Sequence, residues 1–416
     1  RHDMDVSLAD FDLALLDAQD PLAPFRDQFQ LREGLIYLDG NSLGALPRST
    51  AARVAQAVAS EWGEGLITSW LGAQWVSAPQ RIGDKIARLL GAGPGEIVAA
   101  DSTSVNLFKA LTAALSLRPD RPVILSERTN FPTDVYMMQG IEAFSGGRVR
   151  SVTVDPDDVV DRLADDVAVL LLTQVHYKTG RVRDMAEVTA RAHAAGALVI
   201  WDLSHSAGAI EVDLGGPQAD FAVGCGYKFL NGGPGAPAFL FAARRHQSAT
   251  PVLSGWFGHA RPFAFEEDYD PAAGITRFLC GTPAILGLAA LESGIDLMMR
   301  ADIRALREKS VRLGEAFIAL MDERCGDFGF DLIAPRVPAT RGSQVAYAHP
   351  HGYALVQALK DAEVIGDFRA PDILRFGLTP LYLRFVDIHD AVERLREICA
   401  NRAWDKPQYR ERAAVT

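Results

Sequence analysis

The sequence predicts an α/β protein: a large unit built on a mostly parallel mixed sheet flanked by helices, then a smaller α+β unit at the C-terminal end. Three observations carry this. From about residue 95 to 245, short apolar runs alternate with helical patterns, as in parallel strands joined by helical crossovers. Beyond about Ala284 a long leucine-periodic stretch replaces that alternation and leads into short strands and helices. A chain of 416 residues also exceeds what one hydrophobic core ordinarily organises.

The strands expected in the large unit are Val123–Ser126, Val149–Val154, Val167–Thr173, Leu198–Trp201, Phe221–Gly224 and Ala238–Phe241. Between them the best-marked helix starts at Asp184, a good N-cap, and stops at Gly196. After it, a helical stretch from Ala284 to Arg324 has Gly294 as its soft spot. Strands near Gln344–Ala348 and Ile373–Gly377 and helices near Gly352–Asp361 and Ile388–Ala400 complete the smaller unit. The run Leu35 to Gly44 reads as a strand followed by a polar turn facing a site. Residues 1–60 alternate too little to form a domain and are expected to pack on the others, giving units at 61–290 and 291–416.

Composition narrows the function classes. With 23% charged residues and 48% apolar residues the chain is that of an ordinary globular protein, and a net charge of −11 without any Lys/Arg-rich run argues against nucleic acid as a partner. The longest apolar stretch, Val167 to Leu172, is too short to span a membrane. The acidic start, with Asp3, Asp5, Asp10 and Asp12, is unlike a secretory signal. Four scattered cysteines (Cys225, Cys280, Cys325, Cys399) have no metal-ligand spacing and read as reduced cytoplasmic thiols, with no metal expected.

One constellation carries chemistry. Lys228 stands between glycine-rich turns, Gly224-Cys225-Gly226 before it and Gly232-Gly233-Pro234-Gly235 after it. Asp202 ends the apolar strand Leu198–Trp201, 26 residues upstream. A pyridoxal phosphate enzyme needs this pair: a lysine to bond the cofactor aldehyde and a carboxylate to keep the pyridine nitrogen protonated. Ligands of open α/β sheets sit beyond the carboxyl ends of the strands, where Asp202 falls. The run Asp101 to Phe108, opening with Ser102, Thr103 and Ser104, suits a phosphate at a helix N-terminus, and equally a plain N-cap. In Phe131-Pro132-Thr133-Asp134 the ring could stack on the pyridine and Asp134 hold a polar atom; the same tetrapeptide makes an ordinary turn. His205 is a further candidate for the cofactor's face. Tyr227, beside the lysine on an irregular backbone, is placed to act as a general acid. Gly281-Thr282 offers a second polar contact. Arg375, flanked by apolar residues on a short strand, reads as a buried, paired guanidinium able to take a substrate carboxylate in bidentate fashion.

Taken together, these pieces resemble kynureninases, fold-type-I pyridoxal phosphate enzymes of tryptophan catabolism. The resemblance spans nearly the whole chain, from Tyr37-Leu38-Asp39-Gly40-Asn41-Ser42-Leu43-Gly44 to Leu374-Arg375-Phe376. Its distinctive segments are Phe131 to Asp134, Trp201 to Gly208, Gly226 to Asn231 and Gly255-Trp256-Phe257-Gly258-His259. It implies pyridoxal 5'-phosphate bonded to Lys228, with Thr103, Ser104, Phe131, Pro132, Thr133, Asp134, Thr173, Asp202, His205 and Tyr227 as cofactor contacts. It also implies a homodimer with shared sites, in which Trp256 and Thr282 reach the cofactor across the interface, and Arg375 as the substrate's carboxylate anchor. The implied reaction is hydrolytic Cβ–Cγ cleavage of L-kynurenine to anthranilate and L-alanine. Family members favouring the 3-hydroxylated substrate carry Asn where this chain has Thr282, which points to the unmodified substrate.

Two rivals share the fold. A class V aminotransferase would use the same lysine, and a cysteine desulfurase would need a loop nucleophile, for which Cys280 is the only candidate. A non-catalytic pyridoxal-phosphate-binding regulator would carry a DNA-binding segment in front, and residues 1–60 show no helix-turn-helix pattern.

Overall fold

The computed structural model describes residues 11–216 and 219–414, so Asp3, Asp5 and Asp10 of the acidic start lie outside the described residues. In chain order the strands are β1 (Ile36–Tyr37), β2 (Ile97–Ala99), β3 (Val123–Glu127), β4 (Arg150–Val154), β5 (Val167–Thr173), β6 (Leu198–Asp202), β7 (Phe221–Gly224), β8 (Phe239–Ala242), β9 (Asp331–Leu332), β10 (Gln344–Ala348), β11 (Val364–Ile365), β12 (Asp367–Arg369) and β13 (Ile373–Gly377). Seven of them form one sheet in the order β2-β8-β7-β6-β5-β3-β4. All run parallel except β8, which is antiparallel to both neighbours.

This sheet is buried on both faces, and its side chains show it. Val123, Leu125, Leu170, Leu172, Val199 and Trp201 enter one apolar core, whereas Ile124, Val169, Leu171, Leu198 and Ile200 enter the other. The period-2 alternation of a strand therefore supplies two cores from one continuous apolar run, as parallel sheets require. A third core joins the antiparallel sheet β12-β13-β10-β9 and its helices to Leu22, Phe29, Ile36 and Leu38 of the N-terminal segment. That segment is held by β1, which pairs in parallel with β11. No helix among the described residues is long and apolar enough to cross a membrane.

The helix beginning at Asp184 spans Met185–Ala194, and the Asp184 carboxylate accepts from Glu187 N at 3.0 Å. The expected long helix is two, Ile285–Met299 and Ile303–Cys325. The break falls at Asp302, whose carboxylate caps the second helix by accepting from Arg304 N, and not at Gly294. Gly294 lies mid-helix because the backbone needs contact there: a Cβ on it would come within 2.6 Å of the Leu230 and Asn231 carbonyl oxygens. The helix thus rests directly on the turn that follows Lys228.

At the other end of β7, Asp220 ties the sheet together. Its carboxylate, 1% exposed, accepts from His193 Nε2 (2.7 Å), His246 Nε2 (2.8 Å), Arg245 (2.8 Å) and Val199 N (2.9 Å). Against the upward push of burial, the two histidines and this backbone N–H pull its pKa down to about 2. A depressed carboxyl stabilises the folded state above its unfolded pKa near 3.8, and the contribution is lost as pH falls through about 2. We expect Asp220→Asn to cost roughly 2 kcal/mol at pH 7, read by urea denaturation. The deficit should narrow as the pH is lowered from about 4 toward 2, and a deficit that does not change with pH would refute the ion-pair account.

Candidate active site

The carboxyl edge of the large sheet opens into a cavity of about 300 Å³. Ten of the fourteen site residues expected from the sequence line it: Thr103, Ser104, Phe131, Thr133, Asp134, Thr173, Asp202, His205, Tyr227 and Lys228. Pro132 lines a neighbouring cleft instead, and Trp256, Thr282 and Arg375 do not face the cavity.

Each wall follows from local sequence. β7 ends at Gly224, so residues 225–230 leave strand geometry and Tyr227 and Lys228, adjacent in sequence, both face the cavity. Lys228 Nζ lies 3.1 Å from His205 Nε2 and about equally far (5.9 Å) from the Phe131 and Tyr227 ring centroids. Burial, and then the Lys228 charge, hold His205 well below the usual histidine range, so its ring is neutral. Burial, and then Cys225, push the Tyr227 phenol upward, so it keeps its proton. Gly44 N donates to Tyr227 O at 2.8 Å, so the N-terminal polar turn braces the lysine turn from outside.

Opposite the lysine stand two buried carboxyls. Asp202 Oδ1 accepts from Ser204 N at 2.9 Å. Burial, and then neighbouring Asp202, push Asp134 well above its ordinary range. Two carboxylates this close cannot both ionise in a shielded site. Asp134 therefore keeps its proton.

Another wall is the start of the helix Thr103–Ser116, whose N-cap Ser102 Oγ accepts from Val105 N. The first backbone N–H groups of a helix have no partner within it and favour an anion. Asp101 precedes the cap in a left-handed conformation (φ 51°) and pairs with Lys109, which is fully buried and also donates to Phe278 O at 2.7 Å. Asp101 and Lys109 were not among the sequence candidates, although a lysine on an otherwise apolar helix face was a visible signal.

Asn130 was missed for a different reason. Nearly fully buried, it accepts from Thr173 Oγ1 (2.6 Å) and Phe131 N (2.7 Å) and donates to Ser126 Oγ (3.1 Å) and Asp134 Oδ2 (3.4 Å). It orients three expected site residues without facing the cavity, and nothing in a single sequence marks that. Tyr177 and Ser204 also line the cavity. Tyr177 meets Phe131 edge-on at 5.2 Å.

The Gly-Trp-Phe-Gly-His segment has a packing explanation. A Cβ on Gly255 would lie 2.3 Å from Cys280 O, and one on Gly258 2.3 Å from Leu279 O. The two glycines let this segment lie against residues 279–280, joined by Phe257 N donating to Cys280 O at 3.0 Å. Trp256 and the loop bearing Thr282 are therefore one body. Cys280 on that loop is no poised nucleophile: burial pushes its thiol upward, it lies 3.6 Å from Ser254 O, and it does not line the cavity.

The cavity wall fits a small, multiply hydrogen-bonding ligand. Buried Thr103 Oγ1, Asp134 Oδ1 and His205 Nδ1 have no hydrogen-bond partner among the described residues. Native interiors rarely leave such atoms unpaired. Among the described residues no group of His, Cys, Asp and Glu could hold a metal ion.

Solved structures share the architecture at low identity. An apo cysteine desulfurase from Thermococcus onnurineus NA1 matches with a TM-score of 0.77 at 18% identity, over 91% of this chain and 98% of that one. A cysteine desulfurase from Escherichia coli matches with a TM-score of 0.74 at 20% identity, over 91% and 98%. The fold is that of the fold-type-I pyridoxal phosphate enzymes. Residues 306–395 match the family described as "Kynureninase C-terminal domain". The chain is 52% identical over 407 residues to the kynureninase of Burkholderia pseudomallei (strain K96243), covering 96% of this chain and 98% of that one. It is 48% identical over 411 residues to the kynureninase of Pseudomonas fluorescens, covering 97% and 99%. The chain belongs to the kynureninase family, and its cofactor is pyridoxal phosphate. The desulfurase likeness is thus one of fold alone.

Asn130→Ala should weaken pyridoxal phosphate binding by about tenfold, the effect of one buried polar anchor lost, as read by equilibrium dialysis. An unchanged affinity would show that Asp134 and Thr173 hold their places without it.

Proposed function

We propose that this chain hydrolyses the Cβ–Cγ bond of L-kynurenine to give anthranilate and L-alanine, with Lys228 bonding the cofactor and moving the α-proton. The observation that carries the reading is the placement of Lys228 Nζ beside a neutral His205 and across the cavity from the Asp134–Asp202 pair. Pyridoxal phosphate, when bound, supplies the electron sink for the carbanions that this chemistry leaves. Thr103, Ser104 and the helix N-terminus would hold its phosphate, and the Asp202 carboxylate would hold the proton on its ring nitrogen. Asp134, which keeps its proton, adds no charge of its own beside it. Phe131 covers one face of the cavity.

Lys228 Nζ, once freed by the substrate amine, takes the α-proton, and neutral His205 accepts a hydrogen bond from it without competing as a cation. Water adds at the γ-carbonyl and the Cβ–Cγ bond breaks. The protonated Tyr227 hydroxyl is the acid that assists this hydration or delivers a proton to Cβ. Thr282 supports the substrate without a 3-hydroxyl group. The four cysteines are all free thiols, which supports a cytoplasmic setting.

The working unit is read as a homodimer with shared sites. Four large apolar side chains within one short stretch, Trp62, Leu66, Ile67 and Leu71, are 56%, 59%, 74% and 78% exposed, which supports a covered surface. Trp256, stacked on Phe265 at 5.8 Å and edge-on to Trp70 at 6.1 Å, belongs to an aromatic cluster outside its own chain's cavity. This supports its delivery to a partner's site.

Mixing L-kynurenine with the loaded enzyme should release fluorescent anthranilate and equimolar alanine, and Lys228→Ala should release none. A cofactor absorbance change without anthranilate would point to an aminotransferase instead. Tyr227→Phe should lower kcat by about 10²- to 10⁴-fold; full turnover would remove it as the acid. For shared sites, Lys228→Ala and Trp256→Ala proteins, each impaired alone, should regain activity when unfolded and refolded together. Failure to complement would confine each site to one chain.

A further inference from the structure

The expected carboxylate anchor, Arg375, is almost fully engaged by its own protein. On β13, 1% exposed, it donates from Nε to Asp367 Oδ1 (2.9 Å) and from Nη2 to Asp367 Oδ2 (2.6 Å) and Ser42 Oγ (2.7 Å). Its Nη1 donates to Tyr177 O at 2.7 Å. A guanidinium has five N–H groups, so one remains. The fork that would grip a substrate carboxylate is already gripping Asp367.

Asp367 has a second cation. Arg369, two residues along β12, places Nη2 2.9 Å from Asp367 Oδ2, and Ser42 Oγ donates to that oxygen at 2.7 Å. Asp367 faces Arg375 directly across the antiparallel pair. Arg369 is partly exposed and lines a cavity of about 570 Å³ with Asp39, Ser42, Asp367 and Phe131. Phe131 also lines the cavity that Lys228 faces, so the two spaces share a wall residue. Asp39, on the N-terminal turn, stands against Asp367 and Ser42.

We infer that Arg369 and Asp39 complete the carboxylate-recognition site: Arg369 retains Asp367 when an incoming carboxylate takes Arg375, and Asp39 carries a proton, so that the cluster offers that carboxylate one uncompensated positive charge. The inference rests on the reading of Arg375 as the substrate anchor. Two guanidinium groups, the Asp367 carboxylate and a neutral Asp39 sum to one positive charge, and a bound carboxylate brings the sum to zero. Were Asp39 ionised, the cluster would be neutral when empty and negative when filled, in a buried place where that is costly.

The surroundings support a proton on Asp39. Burial, and then Asp367, raise its pKa to about 8. Against burial, the hydrogen bonds from Arg375 keep Asp367 below its ordinary range, so the charge resides there. The other groups facing Asp39 are Arg369 and the phenols of Tyr37 and Tyr382, both pushed upward and therefore neutral. Tyr177, on the far side of the two arginines, is raised as well. Arg412, on the outer wall of the cavity, is exposed and lies over the Phe368 ring at 5.3 Å. As pH rises through about 8, Asp39 ionises and carboxylate affinity falls.

The test uses the pyridoxal-phosphate-loaded enzyme and the deaminated substrate skeleton, an aryl γ-keto carboxylate, beside its neutral carboxamide. Neither has an aliphatic amine to titrate in this range or to react with the cofactor. Calorimetric Kd values are taken between about pH 6.5 and 9.5, a window set around the Asp39 pKa. The carboxylate should weaken by up to about tenfold per pH unit above about 8 while the carboxamide stays level. Asp39→Asn should bind the carboxylate tightly and without that slope. Arg369→Gln should lose about tenfold in carboxylate affinity, keep the carboxamide affinity, and in turnover raise KM more than it lowers kcat. Arg369→Lys, which keeps the charge and perturbs folding less, should fall between. A slope that persists in Asp39→Asn, or a carboxylate-to-carboxamide ratio untouched in both Arg369 variants, overturns the inference. Retention of the ratio in Arg375→Gln would instead refute the anchor itself.

Discussion

Two carboxyl groups buried side by side can hold only one negative charge between them, and the cofactor cavity is organised around that restriction. Asp202, at the end of β6, is held by the Ser204 N–H, and Asp134 is drawn against it from the first turn of the helix after Phe131. Asn130 fixes the approach by bonding Thr173, Ser126 and Asp134 at once. Burial and its neighbour hold the proton on Asp134, in the cavity that Lys228 and a neutral histidine also line. The cavity wall thus combines buried carboxyls with the N–H groups of a helix start, two features of opposite charge preference in one space.

The second organising contact lies between the two sheets. Tyr177, on a turn after β5, lines the cofactor cavity with its ring while its carbonyl accepts from Arg375 of β13 and from Gln344 of β10. The N-terminal turn closes the same seam from the other side through Ser42 and Gly44. A strand of only two residues, β1, anchors that turn. Three segments far apart in sequence thus converge on one arginine.

Much of this was legible in the sequence, and the parts that were not share a cause. β5, β7, β10 and β13 have the bounds that their apolar runs indicated, because buried strands declare themselves by composition. Lys228, Asp202 and the Thr103 helix start, which line one cavity, stood out because strand ends, glycine turns and helix caps are marked in local sequence. The helix break at Asp302 was hidden by continuous leucine periodicity: a cap is one residue and a period is many. Arg375 was rightly read as buried and paired, but its partners Asp367 and Ser42 come from the neighbouring strand and from 333 residues away. Asn130 and Arg369 meet other side chains far away in sequence, so no motif signals them, and Asp39 lies within the segment Tyr37 to Gly44 with no partner visible in the sequence. Trp256 and Thr282 stand apart from their own chain's cavity, and one chain's geometry gives them no ligand to face.

The reversed direction of β8 has a consequence for the lysine. A crossover to a parallel neighbour would carry the chain away from the carboxyl edge immediately after β7. Because β8 returns antiparallel, residues 225–238 leave and re-enter the sheet at that same edge, with Gly232 N bonded back to Gly226 O at 2.9 Å. The backbone bearing Lys228 is therefore a closed loop clamped at both feet, while its side chain is the one long flexible arm reaching from it. Such a mounting fixes the point in space from which the amine can reach, since everything below Cβ has nowhere else to go.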